Sequence, residues 1–140
     1  MKKNNQSGFS LIELLLVVVI IGVIASISLP YLKKAKYASE NAAMFATMRT
    51  LASAQLDFFT HNSRYATLQE LNNSQANAFG TTIGNNIKRG NFMIDMGSVT
   101  ASDASLKNDF TATATKTLDA SDMPYVISVS ANGRIVQITP

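Results

Sequence analysis

The feature that most constrains this chain is an apolar run near its N-terminus, from Phe9 to Leu29, that contains one acid, Glu13. The run has 21 residues, and a helix of that length is ~31 Å long, about the thickness of a bilayer's hydrocarbon core. An acid at the centre of a membrane helix opposes insertion by roughly 2.5–3.5 kcal/mol. The run therefore indicates a membrane helix in which the acid needs an explanation.

Three interpretations of this run compete: a cleaved secretory signal, a permanent membrane anchor and a buried core helix. Lys2 and Lys3 before the apolar residues, and the small residues Ala25 and Ser28 near a possible cleavage site, fit a secretory signal. Against that interpretation, Glu13 lies at the start of the apolar region, and the sequence after Ser28 continues as helix. A buried core helix is disfavoured because the remaining chain is too small and too polar to surround it.

The lysines that flank the run do not settle its orientation. Lys2 and Lys3 favour a cytoplasmic N-terminus, but Lys33, Lys34 and Lys36 follow the other end. The positive-inside rule alone therefore leaves the topology open.

The first 30 residues resemble the class III signal of type IV pilins and type II secretion pseudopilins. The matching elements are the basic leader MKKNNQSG and the segment FSLIELLLVVVIIGVIASISLP. The resemblance implies that a membrane prepilin peptidase cleaves between Gly8 and Phe9 on the cytoplasmic side and that Phe9 is then N-methylated. Glu13 matches the family's acidic residue, four positions after the new terminus. Gly22 and Pro30 match its helix-loosening glycine and proline.

The resemblance also implies a role for Glu13 in assembly. The dipole of the first helical turn stabilises an acid by only about 0.3–1 kcal/mol at exposed sites, too little to offset burial in lipid. A buried charge is tolerated when it is paired, and the family supplies a partner: the terminal amine of a neighbouring subunit, here that of Phe9. The resemblance further implies a cytoplasmic N-terminus and export of the lysines that follow the run.

Pro30 is expected to kink or locally open the helix, because it lacks an amide hydrogen and its ring clashes with the Ser26 carbonyl. Gly22 weakens the same segment, and the hydroxyls of Ser26 and Ser28 are candidates to satisfy freed backbone groups. The family implies partial melting between Gly22 and Pro30 in the fibre. The alternative is that Pro30 ends the membrane helix.

Beyond Pro30, good helix formers continue to about His61, which predicts one long helix from about Ser10. Its second half is predicted to be amphipathic, with an apolar stripe made of Phe45, Met48, Ala52, Leu56 and Phe59. Residues 62–90 are predicted to be a connecting loop with one short helix, capped by Thr67 and Glu70. The family places variable subunit contacts in this region.

The last third is predicted to form strands in which alternate residues share a face. One apolar face is predicted to carry Phe92, Ile94, Met96, Phe110, Ala112 and Ala114. A two-residue turn at Asn132-Gly133 predicts three cross-strand pairs: Ala131 with Arg134, Val129 with Val136, and Ile127 with Ile138.

The predicted fold class is α+β, with the long helix packed on an antiparallel sheet of about four strands, as in pilins. The predicted segments are a leader (1–8), a membrane and assembly helix (9–30), an amphipathic helix (31–61), a connection (62–90) and a sheet (91–140).

Catalytic and metal chemistry find little support in the sequence. The chain has no cysteine and one histidine, His61, so no histidine–cysteine triad or two-histidine metal site is possible. We therefore predict no enzymatic activity and no cofactor. Asp119 and Asp122 are weak calcium candidates, although an Asp/Ser/Pro turn is commoner. Asn72-Asn73-Ser74 is a formal glycosylation sequon.

The leading functional hypothesis is a type IV pilin that polymerises through its N-terminal helices and supports motility, adhesion or DNA uptake. The absence of tryptophan, and of the Trp-Gly-rich loop usual in major pseudopilins, favours a pilin over a type II secretion or competence pseudopilin. The presence of Glu13 argues against one kind of pseudopilin, the subunit at the tip of the pseudopilus, which usually lacks this acid. A third hypothesis is a monomeric anchored or secreted binding module.

The family implies the partners and the location of the protein. The partners are further copies of the chain, the prepilin peptidase, the inner-membrane assembly platform with its ATPase, minor pilins and an outer-membrane secretin. The precursor is expected in the inner membrane, and the mature subunit in an extracellular pilus or a periplasmic pseudopilus.

Overall fold

The computed structural model describes residues 8–100, 102–116 and 124–139. Internal contacts divide the chain into two units, one up to Ser39 and one from Glu40 onward. The helices are α1 (Leu11–Asn62), α2 (Leu68–Ser74) and a short 3-10 helix (Ala104–Lys107). The strands are β1 (Thr81–Ile83), β2 (Asn86–Arg89), β3 (Phe92–Asp95), β4 (Thr111–Lys116), β5 (Tyr125–Ser130) and β6 (Ile135–Gln137).

The predicted long helix is present, and it continues through Pro30. The alternative in which Pro30 ends the helix is therefore wrong. The hydroxyls of Ser26 and Ser28 donate to the carbonyls of Val23 (2.8 Å) and Ile24 (2.9 Å). They therefore bond carbonyls three and four residues back, and not the Ser26 carbonyl that Pro30 cannot bond.

In the second unit, the buried side of α1 differs from the predicted apolar stripe by about a quarter turn. Its buried residues are Met44, Thr47, Met48, Leu51, Ala54 and Gln55. Of the predicted stripe, only Met48 is fully buried, and Leu56 is 58% exposed. The stripe was misplaced because two polar residues, Thr47 and Gln55, occupy core positions and interrupt the apolar pattern.

Gln55 can be buried because its side-chain amide forms hydrogen bonds with both backbone groups of Ala66. Its Nε2 donates to the Ala66 carbonyl, and its Oε1 accepts from the Ala66 amide, both at 2.8 Å. The pair of hydrogen bonds joins α1 to the segment that precedes α2. A buried amide without these bonds is destabilising, so the polar side chain is compatible with the core only in this arrangement.

The sheet has six strands in the order β1-β2-β3-β4-β5-β6, all antiparallel. The α+β class is confirmed, but the expected number of about four strands is wrong. The two additional strands, β1 and β2, lie inside residues 62–90. Two-residue turns that begin at Gly84 (φ 60°) and Gly90 (φ 58°) join β1 to β2 and β2 to β3. A positive φ at the first turn residue suits glycine and a hairpin.

The predicted inward face of the sheet is confirmed. Its buried residues are Phe92, Ile94, Met96, Phe110, Ala112 and Ala114, joined by Ile127 and Val129 of β5. These side chains form one hydrophobic core with Met44, Met48 and Leu51 of α1.

The predicted register of the last hairpin is wrong by one residue. Val129 pairs with Ile135, and Ile127 pairs with Gln137. The Gly133 amide donates to the Ser130 carbonyl at 2.9 Å. Together with the positive φ of Gly133, this bond gives a three-residue loop. A one-residue slip moves alternate side chains to the other face, so Ile135 is half-buried, whereas Val136 and Ile138 are exposed.

The predicted cap of α2 is confirmed. The Thr67 hydroxyl accepts from the Glu70 amide, and the Glu70 carboxylate accepts from the Thr67 amide. Arg64 donates to both carboxylate oxygens of Glu70, at 3.0 and 2.6 Å. The pKa of Glu70 is lowered from 4.5 to about 2, chiefly by the hydrogen bonds from Arg64, with a smaller contribution from the Thr67 hydrogen bonds that outweighs, together with Arg64, the opposing effect of burial.

This pKa predicts acid sensitivity that is specific to Glu70. Because the pKa is lower in the folded state, the pair stabilises the fold above pH 4.5, and that stability is lost as the pH falls towards 2. The loss is expected to be roughly 2–3 kcal/mol of unfolding free energy. Denaturant titration of the whole chain in detergent at several pH values measures it. Glu70→Gln is the control, and an equal loss in this variant between pH 4.5 and 2 would contradict the assignment.

Candidate assembly site at the start of the long helix

The candidate site is the N-terminal end of α1 and the residues just before it. Gly8, Phe9 and Ser10 precede the helix, and the Ser10 carbonyl accepts from the amides of Glu13 (3.1 Å) and Leu14 (3.2 Å). Glu13 therefore lies in the first helical turn, where the helix dipole favours a negative charge. Its side chain is exposed, and Phe9 is 86% exposed. Both groups are accessible to a second molecule.

The helix that follows presents apolar side chains on all sides. Every residue from Leu11 to Leu32 is exposed. Within the described residues, α1 is the one helix long and apolar enough to cross a membrane, by length and composition. A surface of this kind needs a cover of lipid or protein, because soluble monomers rarely expose large apolar patches.

Gly22 has no packing role in the described part of the chain. A Cβ atom at this position meets no heavy atom within 4 Å outside its own helical neighbours. Glycine costs about 1 kcal/mol relative to alanine inside a helix, so Gly22 weakens α1 without a compensating contact in the monomer. Melting between Gly22 and Pro30 inside a fibre stays a prediction.

A model of the prokaryotic N-terminal methylation motif matches residues 3–29. The match covers Gly8, Phe9 and Glu13 and ends just before Pro30. The chain carries the prokaryotic N-terminal methylation motif. The apolar half of α1 is therefore part of this motif.

The chain is similar to two kinds of curated proteins. The type IV major pilin protein PilA of Myxococcus xanthus is 37% identical over 62 residues, which are 44% of this chain and 28% of that protein. The type II secretion system core protein G of Klebsiella michiganensis is 33% identical over 70 residues, half of this chain and 49% of that protein. Core protein G of Aeromonas hydrophila matches to the same extent.

These matches confirm the resemblance to type IV pilins and type II secretion pseudopilins. The matched segment covers less than a third of the pilin and about half of each core protein G. The matches therefore do not separate a pilin from a pseudopilin. The cleavage, methylation and pairing roles of Gly8, Phe9 and Glu13 stay predictions.

The sequence also contains candidate metal-binding and glycosylation residues elsewhere in the chain. Asp119 and Asp122 lie outside the described residues. Within residues 8–100, 102–116 and 124–139, no three histidine, aspartate or glutamate side chains are grouped as a metal site requires. His61 is exposed, and its Nδ1 lies 2.9 Å from the Asp57 carbonyl oxygen.

The sequon asparagine Asn72 is unsuited to glycosylation in the folded chain. It is fully buried. Its Nδ2 donates to Asn77 Oδ1 (3.2 Å), the Gly80 carbonyl (2.9 Å) and Thr82 Oγ1 (2.9 Å). A glycan on this nitrogen has no space and breaks these bonds.

The sequence reasoning missed one buried ion pair. Lys116 Nζ lies 2.6 Å from Glu40 Oε2, with the lysine side chain 1% exposed and the glutamate side chain 26% exposed. The ammonium also lies 5.5 Å from the centre of the Phe92 ring, a cation–π distance. The sequence contained a signal for the burial of Lys116. In a strand alternate residues share a face, so Lys116 follows Phe110, Ala112 and Ala114 on the inward face of the sheet.

Proposed function

We propose that this protein is the structural subunit of a type IV pilus, made as a membrane precursor and polymerised through α1. The observation that carries the proposal is that the methylation motif, residues 3–29, coincides with a helix whose apolar surface is exposed on all sides. That surface suits lipid before assembly. After extraction the same surface is covered by the helices of other subunits, so lipid contacts are exchanged for protein contacts.

Processing and assembly are proposed to depend on three residues. The prepilin peptidase cuts between Gly8 and Phe9, and Phe9 is N-methylated. Glu13 is then paired with the terminal amine of a neighbour's Phe9, which relieves the cost of an acid in an apolar environment. The exposure of Phe9 and Glu13 in the monomer supports this role.

The type II secretion pseudopilin is the second candidate, favoured by the similarity to core protein G over half of the chain. The absence of tryptophan favours the pilin. Both functions are structural, and we propose no catalytic role. In either case the precursor lies in the inner membrane with a cytoplasmic N-terminus, and the assembly platform with its ATPase drives extraction. Motility, adhesion or DNA uptake follows as a property of the pilus.

Mass spectrometry of the mature N-terminus tests the proposal. The expected product begins at Phe9, carries one methyl group and lacks residues 1–8. Gly8→Val is expected to leave the precursor uncut, because the peptidase needs close access to the backbone at this position. Ser7→Ala is the matched control and is expected to be processed normally.

Two results would overturn the proposal. A terminus near Ile27 or Leu29 indicates an ordinary secretory signal and therefore a secreted binding module. An intact N-terminus in cells that contain a prepilin peptidase indicates a permanent anchor.

A further inference from the structure

Three lysines follow the apolar segment of α1 within about one helical turn. Lys33, Lys34 and Lys36 are exposed, and at ~100° per residue they lie within ~160° of the helix circumference. Residues 14–39 contain these three lysines, no arginine and no acid, so the local charge is +3. This stretch of α1 therefore has one basic side.

The other side of the same turns is apolar. Tyr31 and Leu32 are 71% and 68% exposed, and Ser28 and Ala35 lie on the same side. At the boundary of a bilayer that α1 spans, such turns place their apolar side chains beside the acyl chains and their ammonium groups near the headgroups. Tyrosine is enriched at that level, and lysine stems extend so that the ammonium reaches the headgroups.

The length of the uncharged stretch places the lysines at the headgroup level. Leu14 to Leu32 has 19 residues, or ~28 Å of helix, close to the ~30 Å hydrocarbon core. When this stretch spans the bilayer, Glu13 and Lys33 lie at its two boundaries. Lys34 and Lys36 then lie among the phosphates of one leaflet.

We propose that Lys33, Lys34 and Lys36 bind the phosphates of anionic phospholipids in the leaflet at the C-terminal end of the membrane segment. The leaflet's identity rests on the proposed function, which places this end on the exported side. These lysines oppose the positive-inside rule there, so they do not serve to orient the helix. Their contacts hold the waiting subunit in the membrane, and extraction has to break them.

The full-length chain in phosphatidylcholine vesicles with 20–30% phosphatidylglycerol, about one lipid in four, provides the test. Electron spin resonance of spin-labelled lipids measures the preference of the protein-bound lipid shell for phosphatidylglycerol over phosphatidylcholine. We expect a preference of about threefold, lowered by 0.5 M salt. In the variant K33Q/K34Q/K36Q the preference is expected to fall to the smaller value that Lys2 and Lys3, at the other end of the membrane segment, maintain. K33R/K34R/K36R is expected to keep it.

The matched control removes the same charge from the second unit. K88Q/K107Q/R134Q replaces three exposed cations and is expected to keep the preference. An unchanged preference in K33Q/K34Q/K36Q would overturn the proposal, as would an equal fall in the control. Reduced filament assembly of K33Q/K34Q/K36Q with an unchanged lipid preference would assign these lysines to a subunit contact instead. The lipid-binding assay needs neither cleavage nor polymerisation of the chain. Its result is therefore independent of the mass-spectrometric test of N-terminal cleavage, which examines the proposed function.

Discussion

The Glu13→Ala variant is expected to accumulate in the membrane and to enter filaments at least about tenfold less than the wild type when the two are co-expressed. Glu13 lies at the edge of the uncharged stretch, so its charge costs less in the membrane than the roughly 2.5–3.5 kcal/mol of an acid at a helix centre, and pairing in the fibre relieves that cost. Alanine removes both the cost and the relief, so the free-energy difference that favours assembly falls. Quantitative mass spectrometry of sheared filaments and of membranes measures the ratio.

Two further variants separate charge from shape. Glu13→Gln keeps the shape without the charge and is expected to behave as the alanine variant does, whereas Glu13→Asp is expected to retain part of the incorporation. Asp57→Ala removes an exposed acid elsewhere on α1 and is the matched control. Normal incorporation of Glu13→Gln would exclude a charge-dependent role.

Glu40→Gln is expected to lower the free energy of unfolding by about 3 kcal/mol, because the buried Lys116 ammonium then loses the carboxylate that lies 2.6 Å away. Glu40 is 26% exposed on its side chain, which places the effect at the lower end of the range for buried pairs. Denaturant titration of the full chain in detergent, followed by near-ultraviolet circular dichroism, measures the change. Tyrosine is the available probe because the chain has no tryptophan.

The double variant Glu40→Gln/Lys116→Met tests the cause. Methionine fills a similar volume without charge, so most of the lost stability is expected to return. Lys107→Met at an exposed position, combined with Glu40→Gln, is the control and is expected to restore nothing. Equal stability of the two double variants would show that the loss does not arise from the buried charge of Lys116.

The membrane end of the chain was predictable because its properties depend on local sequence. The length of the apolar run, the position of Glu13 and the Gly8-Phe9 pair are all read without knowledge of distant contacts. The α2 cap was predictable for the same reason, since Thr67 and Glu70 are three residues apart. Even the two missed strands had a local signal, because Gly84-Asn85 and Gly90-Asn91 are both two-residue hairpin turns.

The features that were mispredicted or missed depend on contacts between distant residues. Gln55 belongs to the core only because the Ala66 backbone, 11 residues away, accepts and donates its two hydrogen bonds. The stripe on α1 was consequently assigned to the wrong side. The register of the last hairpin was mispredicted because Asn132-Gly133 suits both a two-residue and a three-residue loop. Pairing with β5 selects the latter and places Ile135, rather than Val136, towards the core.

Local sequence was sufficient to predict the methylation motif, the membrane-length helix and the α+β class, because helix length, capping and alternation are properties of neighbouring residues. The buried side of α1 and the pairing of Lys116 with Glu40 became clear only from the packed structure. These depend on the free energy of polar groups in the core, which is favourable only when a distant partner satisfies them. No local pattern in the sequence shows whether that partner is present.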